Sequence, residues 1–343
     1  MKKFSLFLIV VFSLMTLLFN GCTDPKETKN DDSPEYFILC EGNFQQSNAS
    51  LWGINEDLDS LSGPIYWDSE NPLGDVGQSL AVKDGRLFIV MNNSHSLEIM
   101  DASLDDSLVF ETSLEFAGLS PRYITFNANN AFVSAWGIQG IAVIDLQTNE
   151  ITDTISVNGL PEDLIYKDGK LFVALNMNSF WGAENKVLEI SLNPTPTITD
   201  TFEVVNGPEK LLLDGDDLFV TGIHYDASWN SIVGISKINL IDKTVVSNEH
   251  GVGSSASDII KIDGNFYQSF NGKILHLNMD LTLESSNKFG DYSNIYSMWS
   301  DGEYVFIGQS DYIAPDTVVV INSNGEMENT FTVGALPGAY CKK

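Results

Sequence analysis

Apolar and polar residues alternate with a period of two through most of this chain, in short runs separated by tight polar turns. Alternation of this kind marks half-buried β-strands, whose successive side chains point to opposite faces, and it excludes the 3.6-residue period of helical repeats. The runs follow a recurring turn. Asp84-Gly85, Asn129-Asn130, Asp168-Gly169, Asp214-Gly215, Asp263-Gly264 and Asp301-Gly302 each lead into an apolar strand, as in Leu87-Phe88-Ile89-Val90 and Leu171-Phe172-Val173. A partner strand follows each one, such as Leu97-Glu98-Ile99-Met100 and Ile141-Ala142-Val143-Ile144. The spacing between turns runs from 38 residues (Asp263 to Asp301) to 49 (Asp214 to Asp263). A repeat of roughly 40–50 residues holding four strands is a β-propeller blade.

Six blades are counted this way. A seventh begins at Tyr36-Phe37-Ile38-Leu39-Cys40 and Ala49-Ser50-Leu51-Trp52-Gly53-Ile54, with no innermost strand before it. Most units open on a proline loop (Pro121-Arg122, Pro161-Glu162, Pro208-Glu209), and the C-terminus ends on the same sign, Leu336-Pro337-Gly338-Ala339-Tyr340-Cys341. The expected fold is therefore all-β: a seven-bladed β-propeller over residues 35–343, its first blade closed by the C-terminal strand. Such closure leaves no free sheet edge between first and last blades. Aligning Pro337 with Pro121 and Pro161 sets Cys341 opposite Phe37 and not Cys40, so two buried thiols without a disulfide are expected.

Strand order also sorts the loops. The Asp-Gly turns and short turns such as Gln147-Thr148-Asn149-Glu150 gather on one face, called the bottom. The proline loops and the loops between second and third strands gather on top. The top loops carry the chemistry, in rings and amides: Phe44 and Gln45, His95, Trp136, Phe180 and Trp181, His224, Tyr225 and Trp229, and Tyr312. Rings stack at small entropic cost and amides donate and accept in fixed directions, a combination suited to a large, partly flat, amide-rich ligand. Packing between blades or sealing the channel is the competing use of the tryptophans. Arg122 and Lys210 are expected at the channel mouth, either to hold an anionic group or to pair with Glu162, Asp163, Glu209 or Asp258.

Charge narrows the partners. A formal net charge of −29, from 47 acids and 18 bases, provides no cationic stripe for phosphates, so nucleic acid is not an expected partner. Solubility and mutual repulsion are the plain reading of the acids. His95, His224, His250 and His276 lack zinc-like spacing and no loop matches an EF-hand, so no metal is expected. No Gly-x-Ser-x-Gly element or other activated nucleophile is evident, and no catalytic residue is assigned.

The N-terminus reads as a leader. Lys2 and Lys3 precede the apolar run Phe4 to Phe19, then Asn20-Gly21-Cys22. This pattern is that of residues 1–21 as a lipoprotein signal peptide with acylation at Cys22, followed by an acylated, flexible tether over 22–34. A leader without lipidation and a retained helix are the alternatives, the run being short for a span of about 20 residues.

Leu39-Cys40-Glu41-Gly42-Asn43 with Asn48-Ala49-Ser50-Leu51, Leu73-Gly74-Asp75-Val76-Gly77-Gln78-Ser79, and Val333-Gly334-Ala335-Leu336-Pro337-Gly338 together resemble the YncE-like propeller lipoproteins of Bacteroidetes. Cys40 replaces the asparagine usual in the first motif. Members of that family include surface lipoproteins that capture cobalamin for a TonB-dependent outer-membrane transporter. The resemblance implies a corrinoid as ligand rather than cofactor, an outer-membrane location facing the exterior, that transporter as partner, and Gln78 as an addition to the ligand face. Two other classes stay open: a hydrolase or lyase using Glu162, Asp163, Glu209 and Asp258, and a protein-interaction module using the same aromatic loops.

Overall fold

The computed structural model describes residues 32–66, 72–103, 108–284 and 289–343. The leader, Cys22 and most of the tether lie outside the described residues. From Asp32 onward the chain is all β, with no α-helix among the described residues.

Seven antiparallel sheets follow one another. Their innermost strands are Pro337–Lys342 (blade 1), Gly77–Lys83 (blade 2), Pro121–Phe126 (blade 3), Gly159–Lys167 (blade 4), Pro208–Asp214 (blade 5), Ile259–Ile262 (blade 6) and Ile295–Ser300 (blade 7). Each packs against the next, and that of blade 7 packs against Pro337–Lys342, so the ring closes. Blade 1 combines the chain's two ends: Pro337–Lys342 pairs with Tyr36–Cys40, which pairs with Ser50–Ile54. Blade 6 differs from the four-stranded expectation. It has three strands among the described residues, and residues 277–284 turn back in isolated contacts.

Period-two alternation builds the core. Each strand sends alternate side chains to opposite sheet faces, so every interface between blades receives its own apolar layer, and seven such clusters are present. In blade 1, Phe37 and Leu39 face blade 2, while Tyr36, Ile38 and Cys40 face blade 7. Cys341 stands opposite Phe37 as expected, and it joins the blade 2 side. The two buried thiols thus lie on opposite faces of one sheet and are free.

The bottom turns have the expected chemistry. Asp84-Gly85, Asp168-Gly169 and Asp263-Gly264 have positive φ at both positions, the two-residue hairpin turn whose twist matches that of the flanking strands.

Candidate functional site

Near the top of the innermost strands the pairing with the second strand slips, in six of the seven blades. A bulge re-aims side chains, and here it helps bring consecutive residues to the channel. The upper of these positions forms a ring with one member from every blade: Gly338, Gln78, Arg122, Glu162, Glu209, Ser257 and Tyr296. All seven line a single cavity of about 240 Å³ at the channel mouth. The next residue along each strand includes Tyr123, Asp163, Lys210, Asp258 and Ser297, a second charged and hydroxylated tier.

Three segments that carry the sequence resemblance meet here. Glu41 of the first motif, Gln78 of the second and Gly338 of the third all line the mouth. A Cβ at Gly338 would collide with the Glu41 carboxylate, so glycine is what lets Glu41 lie across the opening. Other motif residues are structural. Both carboxylate oxygens of Asp75 accept the Gln45 backbone N–H, and one also accepts the Asn93 amide, which ties the top loops of blades 1 and 2 together.

Of the two uses expected for the cations, the structure shows pairing. Arg122 Nε donates to Glu162 at 3.0 Å, another guanidinium N–H donates to Gln78, and the group lies 4.4 Å from the centroid of the Trp136 ring. Lys210 Nζ is 3.7 Å from Asp258 and 4.6 Å from the Tyr123 ring centroid. Burial disfavours both charges, but the neighbouring Glu162 holds Arg122 protonated, and Tyr123, Asp258 and Asp163 do the same for Lys210. Five carboxylates surround these two cations. Burial raises Glu41, Glu162 and Asp258 above their ordinary values, Asp163 to about 6 and Glu209 to about 7, against the lowering effect of their hydrogen bonds and the two cations.

The aromatic residues have a different architecture from the loops expected. In blades 4 and 5 the middle strands are nine residues long, Lys170–Asn178 with Ala183–Ser191 and Asp217–Tyr225 with Ser231–Asn239. They continue upward as paired hairpins, to Met177 opposite Ala183 after a register shift beyond Leu175, and in unbroken register to Tyr225 opposite Ser231. The tips are twins. Asn178 Oδ1 accepts the N–H groups of Phe180 and Gly182, and Asp226 Oδ1 accepts those of Ser228 and Asn230. In both, the residue before the closing position is a tryptophan in the left-handed region, Trp181 (φ 64°) and Trp229 (φ 62°). His95 and Gln139 hold the matching position in blades 2 and 3. That conformation costs a non-glycine residue about 1 kcal/mol or more.

Phe180 is 90% exposed, Trp229 83%, Trp181 65% and Tyr225 63%. Trp181 meets Trp136 edge to face with centroids 5.7 Å apart, and Tyr225 lies 6.3 Å from Trp229. The crest therefore connects through Trp136 to Arg122 and the mouth. On its flank a cavity of about 440 Å³ is bounded by Leu175, Asn178, Phe180 and Lys186.

The residues expected to form the ligand face do not all come together. Gln78, Arg122, Trp136 and Trp181 form a path from the mouth to the blade 4 tip, where Phe180 adjoins Trp181, and Tyr225 pairs with Trp229 on the blade 5 tip. Tyr312, 67% exposed, stands on the other side at the blade 7 rim. Phe44 and Gln45 sit on the exposed top loop of blade 1, away from that path. His95 Nδ1 accepts the Ser120 N–H at 3.2 Å, which makes the ring a tie between top loops of blades 2 and 3. His224 is a half-buried strand residue opposite Ile232. Sequence reasoning passed over Glu41, Tyr123, Ser257 and Tyr296; alignment of the seven innermost strands at their upper ends is the signal that locates the last three. No group of three or more His, Cys, Asp or Glu among the described residues is arranged to hold a metal ion.

Comparison with known proteins agrees with this architecture. The model of the family described as domain of unknown function (DUF5074) matches residues 35–313, and the chain belongs to that family. No curated protein matches the sequence. Among solved structures, the chain is similar to a proposed 6-phosphogluconolactonase of Bacteroides fragilis (TM-score 0.65, 14% identity, covering 91% of this chain and 98% of that one). A second, from Bacteroides uniformis, gives 0.63 and 13%, covering 90% and 99%. A functionally unknown protein from Desulfotomaculum acetoxidans gives 0.62 and 12%, covering 90% and 99%. At these identities the likeness is one of fold.

Proposed function

We propose that this member of the DUF5074 propellers is a cell-surface capture protein, not an enzyme, that holds a corrinoid across its top face and passes it to a TonB-dependent outer-membrane transporter. The observation that carries the reading is the pair of strained, exposed tryptophans at the hairpin tips. Evolution places backbone strain where function needs a particular side chain, and Trp229 recovers little of its cost by packing. A flat macrocycle edged with amides would stack on Trp181, Trp229 and Tyr225 while Asn178 and Gln78 approach its edge groups. Acylation at Cys22, with the tether to residue 34, would hold the propeller at the outer membrane facing the exterior. Calorimetry of the chain from Cys22 onward with cyanocobalamin tests the proposal. Saturable heat that disappears in Trp181→Ala/Trp229→Ala is expected; no heat and no co-elution of the red ligand at micromolar protein defeats it.

One observation favours a second reading, that of a lactone hydrolase. Glu209, pushed up to about 7, stands in a cavity beside two cations, and titrating groups of this kind cluster at catalytic sites. Turnover of 6-phosphogluconolactone that vanishes in Glu209→Gln would establish it, and a rate equal to the uncatalysed one would remove it.

A further inference from the structure

On the side of the mouth away from the crest, the top of the propeller opens into a cleft between blades 6 and 7. We infer that this cleft and the adjoining mouth form a second binding site, for a polyhydroxylated ligand that is neutral or carries an amine. The inference goes beyond corrinoid capture and rests on residues other than the crest aromatics.

The cleft has a volume of about 280 Å³ and adjoins the 240 Å³ mouth, sharing Ser255, Ile295, Tyr296 and Tyr312 with it. Together the two reach the size of a small-molecule site. Its walls are hydroxyls and amides: Ser254, Ser255, Ser269, Ser310 and Asn294. Ser255 and Ser269 are hydrogen-bonded to each other at 3.1 Å, and Ser269 Oγ accepts the Ala256 N–H at 2.8 Å. The hydroxyls are thus held in position, and each protein hydroxyl, with one donor and two acceptor lone pairs, suits a partner that is itself a hydroxyl.

Tyrosines supply the apolar surface. The rings of Tyr296 and Tyr312 meet edge to face, 6.0 Å between centroids, at the boundary of the two cavities. Tyr312 is held at φ 69°, the same strained placement of an exposed ring seen at the crest. A ring positioned this way offers a face to the C–H side of a cyclic polyol.

Charge disfavours anions. Arg122 and Lys210 are committed to Glu162 and Asp258. Glu41 and Glu209 have no Lys or Arg within ion-pair distance among the described residues; Ser257 Oγ donates to Glu209. An incoming carboxylate or phosphate meets this surplus of acids, whereas polyol O–H groups donate to them and an ammonium adds attraction.

Saturation-transfer NMR on the chain from Cys22 onward, with glucose, glucosamine and gluconate as probes at equal concentration, tests the inference. Glucosamine should bind at least as tightly as glucose, and gluconate at least tenfold more weakly. Tyr312→Ala and Ser255→Val should each weaken glucose about tenfold, one 1.4 kcal/mol step, while Trp229→Ala leaves it unchanged. Absence of transfer to both sugars, equal binding of gluconate, insensitivity to Tyr312→Ala, or loss in Trp229→Ala would each overturn it. Cyanocobalamin titrated into the same three variants reads the crest separately, so failure of one site is distinguishable from failure of the other.

Discussion

At the scale of single residues, the informative feature is a tryptophan where the backbone prefers glycine or asparagine. Trp181 and Trp229 close turns whose hydrogen bonds are already complete through Asn178 and Asp226. Trp181 has Trp136 as a neighbour, but Trp229 contacts little beyond Tyr225. Trp229→Asn should therefore raise unfolding stability by about 1 kcal/mol, because asparagine tolerates the left-handed region, while reducing cobalamin binding. Urea unfolding beside calorimetry reads both quantities; a destabilised variant would mean that the indole serves the fold.

At the scale of elements, the blades are unequal. The layer between blades 5 and 6 has a small apolar cluster around Phe219, Ile235 and Ile259. Polar groups complete the seam, with His250 Nε2 3.0 Å from Gln268 Oε1 and the Asn248 amide donating to the Leu281 carbonyl. Gln268 Nε2 is buried without a hydrogen-bond partner. Among the described residues blade 6 also has no fourth strand. Fewer apolar contacts and a leaner ladder lower the free energy of local opening. Hydrogen exchange should accordingly be fastest, among strand amides, in Ile259–Ile262, Asn265–Phe270 and Lys273–His276; equal protection across all seven blades would contradict this. The crest hairpins show the opposite case, in which extra strand length adds an exposed protrusion without adding to the core.

At the scale of the whole molecule, two sets of carboxylates give stability opposite pH slopes. Glu189 is buried between blades 4 and 5; burial opposes its charge, but hydrogen bonds from Lys170, Lys243 and Thr199 hold it at about 2. Its contribution is complete above the ordinary glutamate value of 4.5 and disappears as pH falls towards 2. Glu209 and Asp163 are raised, so the folded state keeps their protons longer than the unfolded chain. Their contribution is complete below the ordinary carboxyl values and declines as pH rises through about 6 and 7. Stability should peak near pH 4.5. Glu209→Gln should flatten the decline between 4.5 and 7 and gain about 3 kcal/mol at pH 8. Denaturant midpoints from pH 2 to 8 measure this; an unchanged slope in Glu209→Gln would show that the mouth carboxyl is not the titrating group.

The sequence by itself determined the seven-bladed ring, its closure through Pro337–Lys342 and the opposition of Cys341 and Phe37. These follow from local causes that recur: period-two alternation, Asp-Gly turns and a proline at or near the opening of four of the seven innermost strands. It also separated the polar bottom from the aromatic top. Only the tertiary structure decided which top residues act together. Arg122, Gln78, Glu41 and Tyr296 come from four different blades, and their meeting depends on bulges and ring closure that bring distant residues within hydrogen-bond reach. Nor was it legible that Trp181 and Trp229 stand on extended hairpins while His95 serves as a tie. The same polar-aromatic composition fits a loop or a protruding strand pair, and the choice rests on a register set by contacts across the whole blade.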